Sequence, residues 1–173
     1  GPSLGVSGQA TQWLEAALLW QGPFVIDADA LNLLSSNDAL LSLLKTRKAP
    51  SCLTPHPGEA ARFLRVTSQD VQNDRAASIA KLVDQTQAIV VLKGQHTLVA
   101  SPMHATHTCQ EGNAGMAVGG MGDVLTGCVA ALAAQGIKLQ LDLWDATCLG
   151  VQLHALAGDT LVQKGVGPIG LTP

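Results

Sequence analysis

Five glycines and one acid stand among the twelve residues Gly112-Asn113-Ala114-Gly115-Met116-Ala117-Val118-Gly119-Gly120-Met121-Gly122-Asp123, just before an apolar run, 124–134, that reads as a buried helix. Glycine ahead of a helix adopts backbone conformations that other residues avoid, and it leaves the first N–H groups uncovered. Those orphan donors and the positive end of the helix dipole point the same way, so such a place attracts a phosphate or a developing oxyanion. Asp123 then has two readings. It caps the helix as a short acid often does, or it is a general base that deprotonates a substrate hydroxyl while the N–H groups of Gly120, Met121 and Gly122 hold phosphoryl oxygens. Phosphoryl transfer asks little more of a protein than positioning and charge stabilisation. The chain has no Gly-x-x-x-x-Gly-Lys-Ser/Thr pattern, which disfavours a Walker-type ATPase.

Other segments also carry suitable residue types. Asp27 and Asp29 suit a metal or phosphate site and equally suit a helix cap. His56 sits between Pro55 and Pro57, which fix where its imidazole points, although a plain surface-loop histidine reads the same way. Lys93-Gly94, after an apolar strand, fits a lysine reaching phosphates or one on a solvated rim. His104 and His107 have a metal-like spacing, but no further ligands are placed to complete a site, and no metal ligand is assigned. His154, in the last helical segment, reads as packed or exposed rather than catalytic.

These segments need elements to position them. The apolar spacing predicts a helix over 11–20, stopped by Gly22-Pro23, then a short strand at Phe24-Val25-Ile26. A turn and helix follow over 27–34, and Asn37 is placed to cap another helix carrying Leu40, Leu41 and Leu44. Cys52-Leu53 begins a second strand, Pro57 opens a helix to Leu64, and Ser68 caps a long helix over 69–86. Residues 88–92 are continuously apolar and read as a strand covered on both faces. A turn at 93–96 leads to a hairpin partner at 97–100, and 105–110 adds a further strand. After the glycine run come a helix stopped by Gly136 and a last helix over 141–162. This alternation predicts an α/β layered domain with a largely parallel sheet. Ligands bind outside the carboxyl ends of such strands, where segments 27–32, 54–59, 93–97 and 112–123 all fall.

At 173 residues, with 47% hydrophobic and 13% charged, one ordered domain is expected. A net charge of −3 without a basic block, and 3% aromatic residues without tyrosine, speak against nucleic-acid binding. No apolar run reaches the length of a membrane span. Cys52, Cys109, Cys128 and Cys148 form no CxxC pair and read as reduced core residues of a cytoplasmic protein. Both ends are loop-like, Gly1-Pro2-Ser3-Leu4-Gly5 and residues 167–173, and the chain reads as a piece of a longer polypeptide.

Four segments in one order, Asp27-Ala28-Asp29-Ala30-Leu31-Asn32, Thr54-Pro55-His56-Pro57-Gly58-Glu59, Lys93-Gly94-x-x-Thr97 and the glycine run through Gly127, resemble the ADP/ATP-dependent NAD(P)H-hydrate dehydratases of the ribokinase-like superfamily. Each segment is modest alone, but the ordered set is specific and spans essentially the whole chain. The resemblance implies a ribokinase-like layered fold, with residues 1–173 forming one partial domain. It also implies repair of hydrated, inactive NADH or NADPH: a nucleotide phosphorylates the ring hydroxyl, and phosphate then leaves. Bacterial relatives use ADP and release AMP, and eukaryotic ones use ATP. By the same resemblance Asp123 contacts the hydrate and acts as base, and Gly120 to Gly122 form the anion hole. Lys93, Gly94, Gln95, His96, Thr97 and Gly122 line the nucleotide site, while Gly5 and His56 touch the hydrate. Mg2+ would bridge the nucleotide phosphates, and a homotetramer is a common assembly.

Two departures stand out. Ser3 replaces the glycine of the family's Gly-Pro-Gly-Leu-Gly opening, and the family domain carries roughly a hundred further residues before this loop. The sheet is therefore expected to lack its first strands, and the isolated chain to be poorly active or dependent on oligomerisation. The rival expectations are a small-molecule hydroxyl kinase of the same superfamily and a non-catalytic nucleotide-binding fragment.

Overall fold

The computed structural model describes residues 1–166 and 168–173, and the side chains of all of these but Ile137, Leu139 and Pro168. Gly167, part of the loop-like end expected from the sequence, lies outside them.

Strands Phe24–Ile26 (β1), Ser51–Leu53 (β2) and Ile89–Leu92 (β3) pair in parallel, with Val25 beside Cys52 and Leu53 beside Val90. Leu98–Ser101 (β4) turns back antiparallel on β3, and His104–Thr108 (β5) antiparallel on β4, so four of the five strands point one way in the order β1-β2-β3-β4-β5. Because strand side chains alternate between faces, the sheet separates two apolar layers. Ile26, Leu53, Val90 and Leu92 pack on one side with helices Gly8–Leu19 (α1), Asp29–Ser36 (α2), Asp38–Thr46 (α3), Pro57–Leu64 (α4), Ser68–Asn73 (α5) and Arg75–Thr86 (α6). Cys52, Ile89, Val91 and Val99 pack on the other side with Met121–Leu139 (α7) and Leu143–Gln163 (α8). This is the α/β layered architecture with a largely parallel sheet expected from the alternation of elements.

Local chemistry explains most boundaries. Asn37 Oδ1 accepts from the N–H groups of Ala39 and Leu40 and starts α3. Pro57 occupies the first turn of α4, where its missing N–H costs nothing. Two expectations need correction. The helix expected over 69–86 is two helices, α5 and α6, capped by Thr67 and Asp74 rather than by Ser68. Asp74 accepts from the Ala77 N–H, and that local bond outcompetes continuation of α5. Gly136 does not stop α7, which runs on to Leu139. A side chain there would meet the Leu141 carbonyl oxygen at 2.5 Å, so this glycine makes room for the connection folding back over the last turn. All four cysteines are free thiols, Cys52 and Cys109 buried. No described helix is long and apolar enough to cross a membrane.

Arg47 ties α1 to this frame. Its guanidinium donates to the carbonyls of Leu18, Trp20 (2.8 Å) and Gly22 (2.8 Å) and, through Nε, to Ser51 Oγ (2.9 Å). Arg47→Ala strands the last carbonyls of α1, and we expect a cost of about 3 kcal/mol, less than the sum of the bonds because the carbonyls regain water. An unchanged urea midpoint would overturn this expectation.

Candidate active site

The carboxyl ends of β1, β2 and β3 deliver Asp27, Thr54 and Lys93 to one place. Asp27, 3% exposed, receives Lys93 Nζ at 3.0 and 3.3 Å and the Thr126 hydroxyl at 2.8 Å. Asp27 does not cap α2: it joins β1 to β3 and α7 and lines the cavity. Ala28, the next residue, is held at φ 53 and ψ −124, a positive-φ conformation that favours glycine. Such strain costs on the order of 1–3 kcal/mol and persists only where the surroundings impose it. It turns Asp27 inward while Asp29 Oδ2 accepts the Gly5 N–H at 2.8 Å.

From the next loop, Glu59 reaches the same cluster. Its Oε2 takes the His56 N–H at 2.8 Å and lies 3.9 Å from Lys93 Nζ, while His56 Nδ1 takes the Gly58 N–H at 3.0 Å. This reciprocal capping box fixes the imidazole at the mouth of the site. Arg75 braces the other side by donating to the Leu92 and Lys93 carbonyls at 2.9 and 3.3 Å.

The start of α7 lies over this cluster. Gly120 has φ +92, and a side chain on it would strike Pro173 at 2.9 Å. A Cβ on Gly122 would come within 3.0 Å of Lys93 Nζ, so a bare backbone is what allows the helix to sit so close to the amine. The Met121 N–H bends back to the Val118 carbonyl at 3.4 Å, and the Val124 N–H closes the first turn on Gly120 at 3.0 Å. The N–H groups of Gly122 and Asp123 therefore stand open among the described residues, as helix geometry requires of a first turn. Of the three donors read from the sequence, Met121 is the one whose N–H is already engaged. Asp123 is not the cap: Gly120 takes that position without a side-chain bond, and the exposed Asp123 carboxylate projects from the first turn.

Asp159, on α8, clamps the loop that precedes α7. Its oxygens accept from Asn113 Nδ2 and from the Gly112 N–H, both at 2.8 Å. Those bonds, the Asn113 side chain first, hold its carboxyl below the usual carboxylate range. A depressed folded-state pKa means that the clamp is complete above the unfolded value of about 3.9 and is lost as pH falls through the folded one. We expect Asp159→Asn to remove that part of the acid-side loss of stability, read as urea midpoint against pH. Equal slopes in the two proteins would contradict this.

Together these loops enclose a cavity of about 810 Å³. Its wall includes every residue expected for the site, His56, Lys93, Gly94, Gln95, His96, Thr97, Gly120, Met121, Gly122 and Asp123, except Gly5. Gly5 stays on the Asp29 bond outside the lining, and Pro2 represents that loop instead. His104 is occupied elsewhere, stacked on Trp144 with ring centroids 4.3 Å apart. Four contributors had been given no role: Glu59, Arg75, Thr126 and Asp159. Two had a local signal, since Glu59 stands at capping-box spacing from His56 and Thr126 one helical turn after Gly122.

The family model described as NAD(P)H-hydrate dehydratase matches residues 1–170. The chain belongs to the NAD(P)H-hydrate dehydratase family. A bifunctional NAD(P)H-hydrate repair enzyme of Coxiella burnetii is 40% identical over 165 residues, covering 95% of this chain and 32% of that protein. An ADP-dependent (S)-NAD(P)H-hydrate dehydratase of Neisseria meningitidis is 44% identical over 142 residues, 82% of this chain and 46% of that protein. The chain thus spans less than half the length of these two relatives. Among solved structures, the Bacillus subtilis ADP/ATP-dependent NAD(P)H-hydrate dehydratase, co-crystallised with ATP/Mg2+ and soaked with CoA, has 29% identity and a TM-score of 0.80, matching 94% of this chain and 56% of that one. A ribokinase-like superfamily protein of Enterococcus faecalis has 27% identity and a TM-score of 0.75. In this member of the family Ser3 has φ +63, a backbone conformation that favours the glycine expected there from the resemblance.

Proposed function

We propose that this chain carries the phosphoryl-transfer site of an ADP-dependent (S)-NAD(P)H-hydrate dehydratase. The observation that carries the reading is the meeting, on one cavity, of the open N–H groups of Gly122 and Asp123 with an exposed Asp123 carboxylate. Asp123 takes the proton from the hydroxyl of the hydrated ring as that oxygen bonds to the terminal phosphorus of ADP, and the bond from phosphorus to the AMP oxygen breaks. The ring ester then loses phosphate, and a proton leaves the neighbouring carbon to restore the double bond. Phosphate is a far better leaving group than hydroxide, which explains a dehydratase built on a kinase fold.

Charge supports the co-reactants. Asp27, Glu59, Glu111 and Asp123 give the wall four carboxylates against the single ammonium of Lys93, an unfavourable setting for a diphosphate unless a divalent cation accompanies it. Mg2+, which binds through a carboxylate or two and substrate phosphates, fits this donor set, with Glu59 as the wall carboxylate nearest the Lys93 amine after Asp27. Bound there it would neutralise phosphate charge. Lys93 balances the buried carboxylates, while Gly94 to Thr97 and Gly122 border the nucleotide and His56 and Gly5 face the hydrate side. A homotetramer and a cytoplasmic setting complete the reading, the former checked by light scattering.

The test is recovery of NADH absorbance from its hydrate with ADP and Mg2+, with AMP and phosphate released. A stable phosphorylated product from a sugar or other small alcohol, without hydrate-dependent recovery, would instead indicate a hydroxyl kinase. Nucleotide binding without turnover, unaffected by Asp123→Ala, would indicate a non-catalytic nucleotide-binding unit.

A further inference from the structure

His154 has the only buried side-chain nitrogen or oxygen among the described residues without a hydrogen-bond partner, its Nε2. Buried polar atoms are almost always paired, so an exception on the wall of a binding cavity calls for a ligand. The residue is half-buried overall, on the same face of α8 as Val151, Ala155 and Gly158, and it lines the cavity. Burial pulls its pKa below the ordinary histidine value, against a smaller opposing hydrogen bond from the ring to the Met121 backbone.

The surroundings indicate what the ring meets. Met116, Leu125, Val151 and Ala155 line the cavity with it, an apolar wall unsuited to phosphate oxygens but suited to a flat heteroaromatic ring. The phosphate-attracting N–H groups of Gly122 and Asp123 open into the same cavity at the start of α7. The arrangement of the wall also depends on small residues. A Cβ on Gly158 would lie 2.5 Å from Met116 Sδ, so glycine there lets the thioether settle against α8.

Resting on the nucleotide reading above, we infer that His154 is a binding residue for the purine base, its Nε2 making a hydrogen bond to a base nitrogen while the four apolar side chains cover the ring. The diphosphate is held by other groups, the open N–H groups of Gly122 and Asp123 at the start of α7. His154 thus contributes to nucleotide affinity and not to the proton transfer at Asp123.

Calorimetry with ADP and with pyrophosphate, each with Mg2+, tests this on the wild-type chain and on His154→Leu. The variant is expected to bind ADP about tenfold more weakly, the factor set by one hydrogen bond of about 1.4 kcal/mol, and pyrophosphate equally well. In the wild type, the imidazole nitrogen signals of His154 should shift on addition of ADP and stay in place with pyrophosphate. This second measurement decides the matter if the leucine variant does not fold. Unchanged ADP affinity in the variant, equal loss of both ligands, or unmoved imidazole signals would overturn the assignment while leaving the functional reading intact. A folded wild type that binds no adenine nucleotide would overturn both.

Discussion

Asp123→Asn is expected to lower the rate of NADH recovery by about 10² to 10⁴, the range over which a positioned general base acts. The substitution keeps the size of the side chain and removes only its charge and proton affinity. Asp123 is exposed, makes no capping bond, and has open N–H groups at its own position and at Gly122. Stability should therefore change by no more than about 1 kcal/mol, the upper end of what a surface acid contributes at a helix start. ADP affinity should hold or rise slightly, because a negative charge next to the diphosphate has gone. The decisive pattern is a fall in kcat with little change in the apparent KM for ADP. Equal turnover by the two proteins would show that the hydroxyl is deprotonated elsewhere, and the assignment of Asp123 as base would fail. A large fall in melting temperature would instead place Asp123 in the fold.

How far the site could be read beforehand depended on whether each residue's role was local. Asn37 as a cap, Pro57 as a helix opener and residues 89–92 as a doubly covered strand follow from dihedral preference and hydrophobic pattern, which are legible within a few neighbours. The cavity wall was also recognisable, because three loops at strand ends and a glycine-rich helix start have few other places to be in such a fold. What escaped were bonds spanning long stretches of chain. Asp159 holds Gly112 from 47 residues away, and Thr126 meets Asp27 from 99 away. Nothing near an aspartate distinguishes a clamp from a solvated surface acid. Asp27 was noticed for its type, but its partner was not legible, since a helix cap is the local solution and the buried ion pair a tertiary one. His154 was read as packed or exposed rather than catalytic, since its unpaired nitrogen is visible only in the folded structure. Ser68 was misread because its neighbour Thr67 makes the capping bonds with Asp70, and Gly136 because the chain folds back from Leu141 onto its carbonyl only after α7 has run on past it.

Asp27→Ala should have the largest effect on the fold. Removing one partner of a buried pair leaves the other charge uncompensated, at a cost of about 3–5 kcal/mol. The Lys93 side chain is only 18% exposed, and Asp27 supplies the nearer of its two carboxylate contacts, 3.0 Å against 3.9 Å for Glu59. The Thr126 hydroxyl also loses its acceptor on β1, keeping the bond to the Gly122 carbonyl. For a domain of this size we expect the melting temperature to fall on the order of 10 °C. Simple loss of packing offers a competing account, and a second substitution separates the two. In Asp27→Ala/Lys93→Met the stranded charge is gone, and buried ion pairs replaced by apolar groups are often neutral in stability. Recovery of most of the lost stability in the double variant identifies the unpaired ammonium as the cause. A double variant as unstable as Asp27→Ala, or less stable, would show that the cluster is held by packing and by Thr126 instead. Even a stable double variant should turn over poorly. Without the pair nothing fixes the end of β3 against the first turn of α7, where Gly122 leaves only 3.0 Å between a would-be Cβ and Lys93 Nζ. Stability restored without activity would thus show that the Asp27–Lys93 pair serves turnover beyond its part in holding the fold.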